Sequence, residues 1–274
     1  MSKLLEKQFK RQRWHFKSYD EEKVRKFSKK FQVDELLAKI LVTRGFEEYT
    51  DEAVREFIDQ PKSLLFGDLC VSTEKDMEKS TERIRQAIEN NEPVMVNGDP
   101  DADGITGTAV MTTGLRSMGI KTFYDFPVRA REGHGLHPRI IDDADKLGCK
   151  LIFTVDCGIG NVKPVDYANS KGIDVIICDH HILGKEIPNA LSIVNPKLME
   201  SNHPYQALSG SGVALKFILY VAKRLGYDYS QDIIEYMVAL AALGTISDRM
   251  TLKEPVNRYI VRHGIEVIND TEMP

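Results

Sequence analysis

Four short apolar runs, at residues 94–97, 122–126, 151–155 and 175–178, alternate with stretches of helical periodicity at 105–118, 137–147 and 161–170. This alternation predicts a doubly wound α/β fold: a mainly parallel sheet flanked by helices on both faces. Gly119, Gly148 and Gly172 stand where each helix must stop. Sheets of this kind bind ligands beyond the carboxyl ends of their strands. There the first run delivers Asp99, Asp101 and Asp103, the third Asp156, and the fourth Asp179, His180 and His181.

Three carboxylates as close as those of GDPDADG repel one another and raise each other's pKa unless a cation neutralises them. The stretch from Asp99 to Gly104 matches the opening of an EF-hand calcium loop, but the twelfth position of that loop would be Val110, where a bidentate Glu is needed. The preceding run is also strand-like, so the calcium-loop reading fails. Carboxylates with one or two imidazoles suit manganese or magnesium. Two such ions about 3.5–4 Å apart, bridged by a carboxylate, can activate water and clamp a phosphoryl group. Asp156, central between the other clusters, is placed to bridge them. No Gly-x-x-x-x-Gly-Lys-Ser/Thr loop points to ATP.

The chain has 274 residues, enough for one or two domains. Its amino-terminal segment is basic without an apolar stretch, and no apolar run approaches a membrane span, so neither a signal peptide nor membrane association is expected. Cys70, Cys149, Cys157 and Cys178 form no Cys-x-x-Cys pair, which fits reduced thiols in the cytoplasm rather than a zinc site.

The net charge of −4 hides an asymmetry: residues 1–30 hold eleven Lys/Arg against four acids. A basic arm interleaved with Phe9, Trp14, His15, Phe16 and Tyr19 suits a nucleic-acid backbone, and equally a solvated helix docking its rings on a neighbour. Residues 1–90 read as a helical leader, with helices at 33–42, 51–58 and 76–90. Thr50 is a candidate cap, Pro61 a stop, and Met77, Ile84 and Ile88 share one helix face. Residues 91–274 form the second expected domain, helical again at 210–225 and 232–246, with no evident finishing element after Asp248 in GTISD.

GDPDADG, TVDCG, DHH and GTISD, in this order and at these intervals, resemble the DHH phosphoesterase superfamily. More closely they resemble RecJ-type single-strand-specific exonucleases. The likeness extends to RGFEEYTDEAVREFIDQP, EGHGLHP, VNPK and LSGSGVALKF, nearly the whole chain. It implies one manganese ion on Asp99, Asp101 and Asp156, and another on Asp103, Asp156, His180 and Asp248, with magnesium as a substitute. His181 would face the scissile phosphate, with Asp101, Asp103, Asp156 and His180 completing the catalytic group. Asp179 would orient the histidines or merely cap the strand end.

Arg129 and Arg131 offer guanidinium forks for phosphates, unless they are ordinary loop residues. Gly133 and Gly135 would admit substrate near the backbone, beside His134. Gly210 and Gly212 open a helix whose amino terminus could receive a phosphate, or form a tight turn. RecJ-like proteins usually carry tyrosine in place of Pro100 and of His134. The DHH-associated and oligonucleotide-binding domains of RecJ have no counterpart here, so either this chain is a fragment or a replication or repair partner would supply those surfaces. The resemblance implies 5′ to 3′ hydrolysis of single-stranded DNA by two-metal activated water, in repair or recombination. The rival readings are a phosphodiesterase of short RNAs or cyclic dinucleotides, and a non-catalytic scaffold.

Overall fold

The computed structural model describes residues 17–60, 62–67 and 70–270. The chain divides into two compact units, residues 1–59 and 60–274.

In the first unit, α1 (Glu21–Phe31), α2 (Glu35–Thr43) and α3 (Asp51–Asp59) enclose a small core of Val24, Phe27, Leu41, Phe46, Val54 and Phe57. Asp20 and Asp34 cap the first two helices through their carboxylates, and the Thr50 hydroxyl accepts from Ala53 N at 3.3 Å, as its position predicts. Much of the described part of the basic arm is committed within this unit. Lys26 pairs with Glu22 and Lys30 with Asp51, while Lys39 sits over the Tyr19 ring. Phe9, Trp14, His15 and Phe16 lie outside the described residues, as does Pro61.

The second unit begins with a single turn, α4 (Ser63–Phe66), and α5 (Glu74–Glu89). It continues through β1 (Val94–Gly98), α6 (Ala102–Ser117), β2 (Thr122–Asp125), a turn α7 (Arg129–Glu132) and α8 (Pro138–Lys146). Then come β3 (Leu151–Val155), α9 (Val162–Ser170), β4 (Asp174–Cys178) and β5 (Ser192–Val194). Three long helices follow: α10 (Gly210–Arg224), α11 (Gln231–Ser247) and α12 (Pro255–Asp270). All strand pairs are parallel, in the order β2-β1-β3-β4-β5.

Strand alternation builds a core on each face of the sheet. Val94, Val96, Leu151, Phe153, Val155 and Ile176 point to the side packed by α5, α6, α10 and α11. Met95, Ile152, Val175 and Ile177 point to the side packed by α8 and α9. The sheet is therefore buried on both faces, as its apolar runs predict.

Four details differ from the sequence reading. The units part at 59/60 rather than 90/91, because Met77 and Ile84 of α5 are buried in the sheet's own core. Ile88, at the far end of that helix, is 36% exposed, and Ala87 takes its place in the core. The three-residue β5 is too short to show a period. A finishing element does exist: α12 lays Val256, Tyr259 and Ile260 against the core, where α11 receives it.

Candidate metal centre

Each candidate ligand lies just past the end of a strand or helix or, for Asp103, in the first turn of the helix after β1, so the fold's own pairing brings the segments together. β1 runs straight into Asp99, whose backbone N–H bonds to Val155 O of β3. Asp101 caps α6, its Oδ1 accepting from Gly104 N at 3.0 Å. Asp103 lies within the first turn of α6 and is 2% exposed. Its two oxygens accept from Gly210 N at 2.6 Å and Ser211 N at 3.0 Å. The amino terminus of α10 thus offsets one buried negative charge.

Asp156 follows β3 with φ at 61°, the left-handed region that an Asp tolerates better than most residues. Held there it is 3% exposed. Its Oδ1 is buried and makes no aligned hydrogen bond, although His180 Nε2 lies 3.1 Å away. Burial pushes the carboxyl up to about 7; His180 opposes the rise, and the charges of Asp103 and Asp101 add to it. His180 is itself held above its ordinary range, Asp156 outweighing the effect of burial. Asp248 closes α11, with Oδ2 3.7 Å from His180 Nε2, and burial raises its carboxyl too.

Asp179 is fully buried and saturated. Its Oδ1 accepts from His180 N (2.7 Å), His181 N (3.1 Å) and His181 Nδ1 (2.7 Å), and its Oδ2 from Ile159 N (3.0 Å). Burial works to raise its carboxyl, but the bond from His181 leads the forces that hold it below the usual range. The same contact lifts His181 to about 9, on a ring that is 58% exposed.

Three overlapping groups have one ligand atom per residue, all within 4.8 Å of one another: Asp99, Asp101 and Asp156; Asp103, His180 and Asp248; and Asp156, His180 and His181. Most of these residues line a cavity of about 410 Å³, together with His134, Gly135, Gly158 and Asn161. All six ligands expected from sequence therefore meet at one sheet edge. Asp179 contacts the ring of His181 but serves His180 only through its backbone.

The expected substrate contacts fare unevenly. Arg129 and Arg131 are exposed on α7 and make no ion pair among the described residues. His134 Nδ1 meets Asp99 Oδ1 at 3.0 Å, which puts this ring at the cavity wall. Gly210 and Gly212 do not present a free helix terminus. The Gly210 and Ser211 amides are taken by Asp103, and that of Gly212 by its cap Ser209. Close approach is what requires Gly210, since a Cβ there would lie 2.5 Å from Asp156 Oδ1. Gly133 and Gly135 both have φ near +80°, and a Cβ on Gly135 would strike the Asn161 amide. They shape the turn rather than open a path to substrate.

Sequence reasoning missed what anchors that turn. Asn161 Oδ1 accepts from Leu136 N at 3.0 Å. Arg139 bonds to Glu132 (2.8 Å), Asp125 (2.6 Å) and Phe126 O (3.1 Å). Neither residue has a spacing that announces such a role.

With this geometry in place, comparison with known proteins is decisive. The profile of the DHH family, N-terminal domain, matches residues 93–245, more than half of the chain. This chain belongs to the DHH family. Among curated DHH relatives it is 34% identical over 259 residues to the single-stranded-DNA-specific exonuclease RecJ of Bacillus subtilis (strain 168). The match covers 94% of this chain and 31% of that protein. It is 36% identical over 200 residues to RecJ of Escherichia coli (strain K12), covering 70% and 34%.

The fold likewise matches exonuclease RecJ bound to manganese, with TM-score 0.63, 32% identity, and coverage of 72% of this chain and 49% of that one. RecJ of Thermus thermophilus in complex with Mn²⁺ gives TM-score 0.68 and 26% identity, covering 94% of this chain and 35% of that one. The chain thus spans about a third of the length of its curated relatives.

Proposed function

We propose that the α/β unit is the catalytic core of a divalent-metal-dependent exonuclease that hydrolyses single-stranded DNA, from the 5′ end. The observation carrying this reading is the convergence of five carboxylates and two imidazoles into three overlapping ligand groups, with Asp156 shared between two of them. The donors fit manganese or magnesium. They are oxygen-rich with one or two imidazoles, and a buried Oδ1 of Asp156 has no hydrogen-bond partner of its own. The relatives named above are single-strand-specific exonucleases, and two of the matched structures hold manganese.

Asp99, Asp101 and Asp156 would hold one ion, and Asp103, Asp156, His180 and Asp248 the other. Such ions supply an activated water and neutralise charge on the transferring phosphoryl group. The chain's own residues do the positioning. Asp179 fixes His181 through Nδ1, which would leave Nε2 to donate to a phosphate oxygen in the cavity. The α10 amides hold Asp103 in place, which keeps its carboxylate oriented without a flexible partner. Arg129 and Arg131, exposed on α7, are candidates for flanking phosphates, with His134 at the wall.

Four free cysteines, three of them buried, support a cytoplasmic setting. A replication or repair protein as partner belongs to the same proposal.

The test is incubation with manganese and single-stranded DNA labelled at either end, beside duplex DNA, single-stranded RNA and a dinucleotide. Mononucleotide release from the 5′ end of the single strand alone is expected. Asp103→Ala and Asp156→Ala should abolish it while leaving the far-ultraviolet spectrum unchanged. Substantial turnover by either purified variant sinks the metal assignment.

A further inference from the structure

Beside the acidic centre, a groove of about 310 Å³ runs between α6 and the edge strand β2. One wall is a single stripe of α6: Ile105, Thr108, Thr112 and Arg116, spaced at helical intervals. At 1.5 Å per residue this stripe extends about 16 Å. The other wall holds Tyr124, on β2, and Phe126, just past its end, with their ring planes set at 64° to each other. Their centroids are 6.2 Å apart.

The groove starts at the metal centre and leads away from it. Phe126 lies against Gly98, the residue before Asp99: a Cβ on that glycine would sit 2.7 Å from Phe126 Cε1. Ile105 is half exposed two residues beyond Asp103. Farther out, Tyr124 is 57% exposed, a large ring on an edge strand with an open face. The Arg116 guanidinium ends the track, 5.9 Å from that ring and anchored on Thr122 O at 2.7 Å. Thr108 and Thr112 line the floor between these ends, their hydroxyl oxygens buried beneath its surface.

We infer that this groove seats the bases of the strand next to the nucleotide being cut, stacked in turn on Phe126 and Tyr124, with Arg116 beside the outermost phosphate. The inference rests on the single-strand reading proposed above and deepens it. A flat π face suits each ring, and stacking serves every base alike, as an exonuclease without sequence preference requires. The strand's phosphate supplies the anion for the exposed Arg116. A purely apolar protein partner would leave that cation unmatched.

Two measurements test it on the intact chain. The first is the KM for cleavage of a long thymidine strand with manganese. Loss of one stacked base should raise KM about tenfold in Tyr124→Ala, with kcat near wild type, and Tyr124→Phe should restore it. The second uses iodouracil placed singly along the strand, photo-crosslinked with calcium in place of manganese and mapped by mass spectrometry. Crosslinks to Tyr124 or Phe126 from nucleotides close to the 5′ end are expected. A wild-type KM in Tyr124→Ala, or crosslinks that all fall outside residues 122–126 and α6, overturns the inference and leaves the groove to a protein surface. If the wild-type chain cuts no single strand at all, the functional reading fails by itself, and the crosslinks still decide the groove.

Discussion

Asp156→Asn separates what this carboxylate does for function from what it costs the fold. In metal-free protein its carboxyl sits at about 7 against an ordinary 3.8, chiefly through burial. The folded state therefore binds the proton more tightly than the unfolded chain. Stability is fully present below the unfolded pKa and is lost as pH rises through about 7. A difference of about three pH units is worth about 4 kcal/mol once the group is ionised. Asparagine is neutral, nearly isosteric, and well suited to the φ of 61° at this position. It buries an amide whose donors find few partners, which costs about 1–2 kcal/mol. The variant should accordingly be about 2–3 kcal/mol more stable than wild type at pH 8 in chelator, by urea unfolding. The gap should close or reverse at pH 5, where most wild-type molecules carry the proton. Added manganese should stabilise wild type and leave the variant unmoved. A variant no more stable than wild type at pH 8 in chelator would refute the claim that Asp156 is an unfavourable buried charge awaiting a cation.

Other positions give independent tests. Gly210→Ala would force the α10 terminus away from Asp156, so it should cost about 1–3 kcal/mol and weaken manganese binding measured by calorimetry. Normal affinity would show that the packing is loose. Lys216 is buried in α10, with Nζ donating to Leu65 O at 2.8 Å and Gly67 O at 2.6 Å. Lys216→Met should cost about 1–3 kcal/mol in urea unfolding by stranding those carbonyls. The Glu132 carboxyl is held down to about 2, first by its bonds from Arg139 and then by Val128 N–H. Its contribution is present above the ordinary 4.5 and disappears as pH falls toward 2. The stability difference between wild type and Glu132→Gln should shrink over that window, and a constant difference would mean the clamp is not ionic.

What was legible in the sequence was whatever has a period or a fixed spacing. Strands β1, β3 and β4 were readable because burial on both faces makes them continuous apolar runs, and the edge strand β2 from its aromatic residues. Gly119, Gly148 and Gly172, all with positive φ, ended their helices as expected. The metal candidates were readable because each is tied to the end of a strand or helix. β5 and the turn α7 were not, being three and four residues long. α12 was hidden by Asn257, Arg258, Arg262 and His263 among its apolar residues. The roles of Gly210 and Gly212 stayed open between a phosphate site and a tight turn for a different reason. A glycine at a helix start looks the same whether it admits a phosphate or a neighbouring side chain. Only the position of Asp103, more than a hundred residues away in sequence, decides between them.

The carboxylates of the centre divide by whether the protein itself satisfies them. Asp179 accepts four hydrogen bonds and Asp103 accepts two backbone amides at a helix terminus, so both are settled without a cation. Asp101 spends one oxygen on its own helix cap. Asp156 alone combines near-complete burial, a left-handed backbone and an Oδ1 with no aligned donor. Protein folding has no use for that combination, since a buried unpaired carboxylate is among the costliest groups a core can hold. An ion bridged by Asp156 removes the cost in one step. The residue that most destabilises the metal-free fold is thus the one on which both proposed ion sites depend. Manganese binding and fold stability should then rise and fall together across any set of variants at this sheet edge, and variants at Asp179 should break that correlation, because its carboxylate meets the ring of His181 and otherwise only backbone amides.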